Sequence, residues 1–201
     1  MKNEIIRLGK LEINLQELAN FLVEAKKEGY TGDGKYISLP DGSKQFVFRK
    51  QGSPLYFTDN YKGYYQFAGS EKVDIEVHNS NYPKKDIIPI WQMNYFGKIH
   101  PELLGNEKFV KKIYDYLRER LLEVTPEKPF RGQLGSNKVD NLKYKDLSRN
   151  IDISNLTSMN LSEGDIKDFH GKERIYGRVY WGGPDFDVYS LKFHGGLIIP
   201  K

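Results

Sequence analysis

The chain has no cysteine among its 201 residues, which excludes disulfides, thiolate metal sites and thiol nucleophiles and fits a reducing cytoplasm. No apolar run approaches the roughly 18 residues of a membrane span, and Met1 to Asn14 alternates charge with Ile and Leu where a signal peptide would have a continuous apolar core. A soluble, unexported, cytoplasmic protein with no membrane partner is expected. Nor does one charge dominate. The 31 basic and 27 acidic residues leave +4, and the basic pairs Lys26-Lys27, Lys84-Lys85 and Lys111-Lys112 are separate and interleaved with acids. A nucleic-acid binder gathers its charge on one face, so no direct nucleic-acid contact is expected. Gly-x-Ser-x-Gly is missing, which leaves no marked serine nucleophile.

What is present is a pattern said twice. Phe67-Ala68-Gly69-Ser70-Glu71-Lys72-Val73 returns as Phe169-His170-Gly171-Lys172-Glu173-Arg174-Ile175, and Ile90-Trp91-Gln92-Met93-Asn94-Tyr95-Phe96-Gly97 is answered by Val188-Tyr189-Ser190-Leu191-Lys192-Phe193-His194-Gly195. Two matches in the same order and at near-equal spacing point to a degenerate internal duplication, about 14–100 and 106–199, within a single domain 1–201.

Asn14-Leu15-Gln16-Glu17 has the form of a capping box, and Leu15, Leu18, Ala19, Leu22 and Val23 follow at helical spacing, with Gly29 as the stop. Gly29 to Gly34 lacks the Lys-Ser/Thr ending of a phosphate-binding loop and reads as a turn-rich connection. Alternation then takes over at Phe46 and Phe48, Leu55 and Phe57, and Val73, Ile75 and Val77, which predicts half-buried antiparallel strands. Ile87–Ile99 is the longest of these, with Trp91, Met93 and Tyr95 on one side and Ile90, Gln92 and Asn94 on the other. Asn106 opens a second helix carrying Phe109, Val110, Ile113, Leu117, Leu121 and Val124, closed by Pro126. Lys128–Asn141 reads as a long loop. Strands resume at Leu142–Tyr144 and Ile151–Leu161, and Glu173–Trp181 with Asp187–Ile199 forms a hairpin across Gly182-Gly183-Pro184-Asp185. The expected fold is α+β: two pseudo-symmetric halves, each one helix plus three or four antiparallel strands, with the helices packed on one face of a curved sheet.

Phe67-x-Gly69-x-Glu71, Pro89-x-Trp91-x-Met93-Asn94-Tyr95-x-Gly97, Pro129-x-Arg131-Gly132 and Phe193-His194-Gly195-Gly196 together resemble the bacterial family known as domain of unknown function 5680, from about Phe21 to Ile198. That family occurs alone or behind Xre-type helix-turn-helix regulators, so the resemblance implies a sensing role read out through a regulatory protein partner. The duplicated helix-and-sheet plan is also similar to gyrase-inhibitor-like domains, which bind small molecules between their halves.

The repeated acids Glu71 and Glu173 each begin a strand after a Phe-x-Gly turn, where they either face one another across the seam or brace the turn. Trp91, Tyr95, Tyr189 and Phe193 lie on matching strands. With Tyr56, Tyr64, Tyr65, Tyr176, Tyr180 and Trp181 nearby, they either line a cavity or fill an ordinary aromatic core. Arg131 is placed to clamp an anion or to form a structural ion pair. The residues expected to bind ligand are therefore Glu71, Glu173, Trp91, Tyr95, Tyr189, Phe193 and Arg131. A small organic ligand, cationic or planar and aromatic, suits them. The alternatives are an enzyme using Glu71 or Glu173 as general acid/base and a protein-interaction module. No metal or cofactor is expected: His170, Glu173 and His194 would form an asymmetric site, since Ala68 and Phe96 stand at the matching positions.

Overall fold

The computed structural model describes residues 4–8, 11–31, 36–78, 85–132, 140–146, 151–179 and 186–199. The expected turn at Gly182–Asp185, Tyr180, Trp181, residues 32–34 of the Gly29–Gly34 connection and residues 133–139 of the long loop lie outside the described residues. Among these residues the architecture is α+β: two α-helices, α1 (Leu15–Tyr30) and α2 (Glu107–Leu121), and a mostly antiparallel sheet. Among the described residues no helix is long and apolar enough to cross a membrane.

A short hairpin that the sequence reading did not foresee comes first, β1 (Ile5–Leu8) against β2 (Leu11–Asn14). Among the described residues nine further strands form one sheet. They are β3 (Ile37–Ser38), β4 (Lys44–Arg49), β5 (Leu55–Gly63), β6 (Gln66–His78), β7 (Lys85–Ile99), β8 (Asp140–Asp146), β9 (Ile151–Asp165), β10 (Asp168–Val179) and β11 (Phe186–Leu197). Their order across the sheet is β3-β4-β5-β6-β7-β11-β10-β9-β8, so the central contact is between β7 and β11. Five strands follow α1 and four follow α2, one more in the first part than expected.

Asn14 caps α1 as its residue type predicts, its side-chain oxygen accepting from the amides of Gln16 (2.9 Å) and Glu17 (3.2 Å). Gly29 does not stop the helix. It is buried beneath the Phe46 ring, and α1 continues to Tyr30 with Thr31 as its last cap. Asn106 accepts from the Phe109 amide and opens α2. That helix ends at Leu121, short of Pro126.

The repeated Phe-x-Gly segments are not turns. Both lie inside strands, because β6 begins at Gln66 and β10 at Asp168, and the register gives them a physical reason. Phe67 lies opposite Gly97 and Gly69 opposite Tyr95 on the β6–β7 ladder; Phe169 lies opposite Gly195 and Gly171 opposite Phe193 on β10–β11. Each ring crosses over the glycine of its neighbour. A Cβ on Gly69 would come within 2.4 Å of the Tyr95 ring and one on Gly97 within 2.3 Å of Phe67, so no larger residue fits.

Alternate positions of the strands are buried. On β7, Trp91, Met93, Tyr95, Gly97 and Ile99 turn inward while Phe96 and Lys98 are exposed. Ile90, expected on the polar side, is also buried, because a bulge there sets Val73 opposite Trp91 and Asp74 opposite Pro89. One apolar cluster unites the buried strand positions with Leu15, Leu18 and Leu22 of α1 and Phe109, Ile113 and Leu117 of α2.

Candidate functional site

Inside this apolar cluster lies a row of buried polar side chains, each placed by strand period. On β5 the alternation Phe57, Asp59, Tyr61 turns Asp59 inward, and Asp59 lies directly opposite Glu71 of β6. On the other side of the central pair, Asn160 of β9 lies opposite Glu173 of β10. A charge so buried is stable only if paired, and the helices and the Pro129–Gly132 segment supply the partners.

Lys26 of α1 falls on the same helical stripe as Leu15, Leu18 and Leu22. Its ammonium lies 2.5 Å from Glu71 Oε2 and donates to the Phe130 carbonyl. Burial pushes the Lys26 pKa down, against the opposing pull of Glu71. Tyr30 donates to the other Glu71 oxygen at 3.1 Å. Arg131 pairs with Glu173, Nε to Oε2 at 2.8 Å, and its guanidinium sits 5.8 Å from the centre of the Tyr95 ring. Asn160 donates to the Gly132 carbonyl at 2.7 Å. Glu71 and Glu173 thus each have a cation of their own, from α1 and from the segment after α2.

Among the described residues Asp59 has no such partner. Its carboxylate accepts from the Tyr95 hydroxyl (2.8 Å) and the Tyr36 hydroxyl (2.9 Å). Burial first, and the charge of Glu71 second, push its pKa up to about 7, against the two tyrosines and Arg131. Burial beside Asp59 raises the pKa of Tyr36 and of Tyr95 above the ordinary phenol range.

Asp59 forms part of the wall of a cavity of about 420 Å³ between the first strands and α2. Tyr30, Tyr36, Tyr61, Tyr64, Tyr95 and Tyr114 surround it, and Phe67 completes the aromatic lining. Several of these rings touch edge-on or tilted, as Tyr36 with Tyr61 (5.5 Å) and Tyr64 with Tyr114 (5.4 Å). Lys44, Lys111 and Arg118 also line it, with Asp115 bonded to the last two. A second hollow, about 480 Å³, lies beside the start of α1 and the β4–β5 turn, and none of the buried ionisable residues above lines it.

Of the residues read from the sequence as ligand contacts, Tyr95 and Arg131 line the tyrosine cavity. Glu71 lies behind it, bonded to Tyr30. Glu173 is held by Arg131. Trp91 is wholly buried, stacked on Phe169 (5.7 Å) with Lys26 above its ring (5.6 Å). Tyr189 stacks on Phe67 (6.1 Å), and Phe193 packs against Phe169 (6.3 Å). His170, Glu173 and His194 do not converge: the histidines are exposed, while Glu173 points to the buried side. Sequence reasoning missed Asp59, Tyr36, Tyr30 and Lys26. A signal for two of them was there, since Asp59 interrupts the apolar face of a period-two strand and Lys26 the apolar stripe of a helix.

The span that carries Asp59, Glu71, Tyr95, Arg131 and Glu173 is also the span that has counterparts elsewhere, while Lys26, Tyr30 and Tyr36 precede it. No curated protein and no solved structure matches the chain. A family model matches residues 59–198, later in its start than the Phe21 expected and well over half of the chain, so the protein belongs to the family described as Domain of unknown function (DUF5680).

Proposed function

We propose that this domain binds a small organic molecule in the tyrosine-lined cavity, and that Asp59 is the group that recognises it. The observation that carries the reading is the combination of an aromatic-lined cavity of about 420 Å³ with a buried carboxylate that, among the described residues, has tyrosine hydroxyls and no cation as its hydrogen-bond donors. Aromatic faces and an acid suit a planar or cationic head group. A regulatory protein partner, of the Xre type found with this family, would read out occupancy.

The architecture behind the pocket is read as a duplication, with both helices on the buried face of the sheet. The β7–β11 register supports it. Exchanging each residue for its repeat mate carries the pair Trp91–Leu197 onto Tyr189–Ile99 and Met93–Gly195 onto Leu191–Gly97, and leaves Tyr95–Phe193 as its own mate. On this reading Asp59 and Asn160 are mates, so the ionisable group belongs to one half alone.

Asp59→Asn keeps the shape and removes the charge. In a thermal-shift and calorimetric screen of small amines and planar aromatics, a ligand of wild type should bind this variant about 1–3 kcal/mol more weakly. Identical ligand responses in wild type and variant would overturn the reading.

A second reading, an enzyme acting on a small substrate, is favoured by one observation: the carboxyl of Asp59 titrates near neutrality beside two hydroxyls. The general acid/base would then be Asp59, since Glu71 and Glu173 are each neutralised by a cation. Conversion of a bound ligand, lost in Asp59→Asn, would distinguish it from binding alone.

A further inference from the structure

The exposed side of the sheet carries a patch that the pocket does not use. The register places Phe96 beside Lys192, Lys192 beside Lys172, and Lys172 beside Leu161 in one row across β7, β11, β10 and β9. One neighbouring row holds Lys98, Ser190 and Arg174; the other holds Asn94, His194 and His170. Phe96 is 52% exposed within β7, and the lysines and histidines around it are exposed too. Arg174 is bonded to Asp187, and His170 lies 3.6 Å from Glu163, but among the described residues no carboxylate pairs with Lys98, Lys172 or Lys192. Lysines directly opposite on neighbouring strands repel, so Lys172 and Lys192 cost the fold stability.

Linear sequence hides this patch. Lys172-Glu173-Arg174 reads as mixed charge, yet strand period turns Glu173 into the core and both cations to solvent.

We propose that this open face binds single-stranded nucleic acid, with Lys98, Lys172 and Lys192 on the phosphates and Phe96 and His194 as stacking surfaces for bases. An open sheet face has no element to enter a duplex groove, but it offers extended backbone phosphates a line of cations and bases a ring. Asn94 and Ser190 add hydrogen-bonding groups between the cations. An acidic peptide would use the charge and leave the ring idle. The proposal reverses the sequence expectation of no nucleic-acid contact, and it stands apart from the ligand pocket.

The test is fluorescence anisotropy of a labelled 12-nucleotide single strand with the whole chain. Three phosphate contacts imply that affinity falls about 20-fold between 50 and 200 mM salt. Lys172→Glu with Lys192→Glu should weaken binding at least ~20-fold at low salt, and Phe96→Leu about 5-fold through lost stacking. Lys27→Glu with Lys112→Glu, exposed on the helices, should change it less than about 3-fold by the same reasoning. Unchanged melting temperatures keep the comparison interpretable. The proposal is overturned by absence of binding at 50 mM salt, by equal losses in the helix and sheet variants, by indifference to Phe96→Leu, or by equal affinity for a poly-glutamate peptide.

Discussion

Lys26 shows how one side chain ties the parts of the core together. It links α1 to β6 through Glu71 and to the Pro129–Gly132 segment through the Phe130 carbonyl, with both charges 1% exposed. Removing one member of such a pair leaves a buried charge without a partner, which costs far more than the pair contributes. Lys26→Met should therefore lower stability by about 3–5 kcal/mol, and Lys26→Met with Glu71→Leu should recover a large part of it. Urea denaturation of the two variants checks this; equal stability of single and double variants would show that Glu71 does not need Lys26. The lysine was legible in the sequence as a break in an apolar helical stripe. Its partner was not, because Lys26 and Glu71 are joined only when α1 packs on β6.

At the scale of elements, the repeated glycines were legible as a pattern and misplaced as turns. Phe-x-Gly looks like a chain reversal when read locally. In the sheet it is one half of a cross, Phe67 over Gly97 and Tyr95 over Gly69, and the ring that fills each glycine's space comes from another strand. The helices were more legible, since a cap such as Asn14 and a periodic stripe act within a few residues of one another. Gly69→Ala should cost about 1–3 kcal/mol by forcing the Tyr95 ring aside, and should weaken ligand binding because Tyr95 also bonds Asp59. Thermal denaturation and the ligand screen read both effects. An unchanged melting temperature would mean that the cross tolerates a methyl group.

For the whole molecule, the most telling property is stability against pH. The Asp59 carboxyl is held protonated in the folded chain up to about pH 7, whereas an unfolded aspartate ionises near 4. Between those values the folded chain binds the extra proton, so the contribution of this group to stability falls as pH rises from about 4 to about 7 and is flat outside that window. Asp59→Asn removes the slope, and its stability relative to wild type should rise by roughly 2–4 kcal/mol across the window. Chemical denaturation at about pH 4.5 and about pH 8 measures it; a constant difference between wild type and variant would show that Asp59 ionises normally. The sequence by itself determined the α+β class, the two caps, most of the strands, the family and the shared side of Trp91, Met93 and Tyr95 on one strand, because these follow from periodicity, residue type and motif, which act along the chain. Only the tertiary structure decided that Glu71 and Glu173 are each neutralised by a separate cation, that Asp59 is left with tyrosines at the cavity, and that the lysines of β10 and β11 share one open face. Those outcomes depend on which strands become neighbours and on what register, and that is settled by packing between residues far apart in sequence.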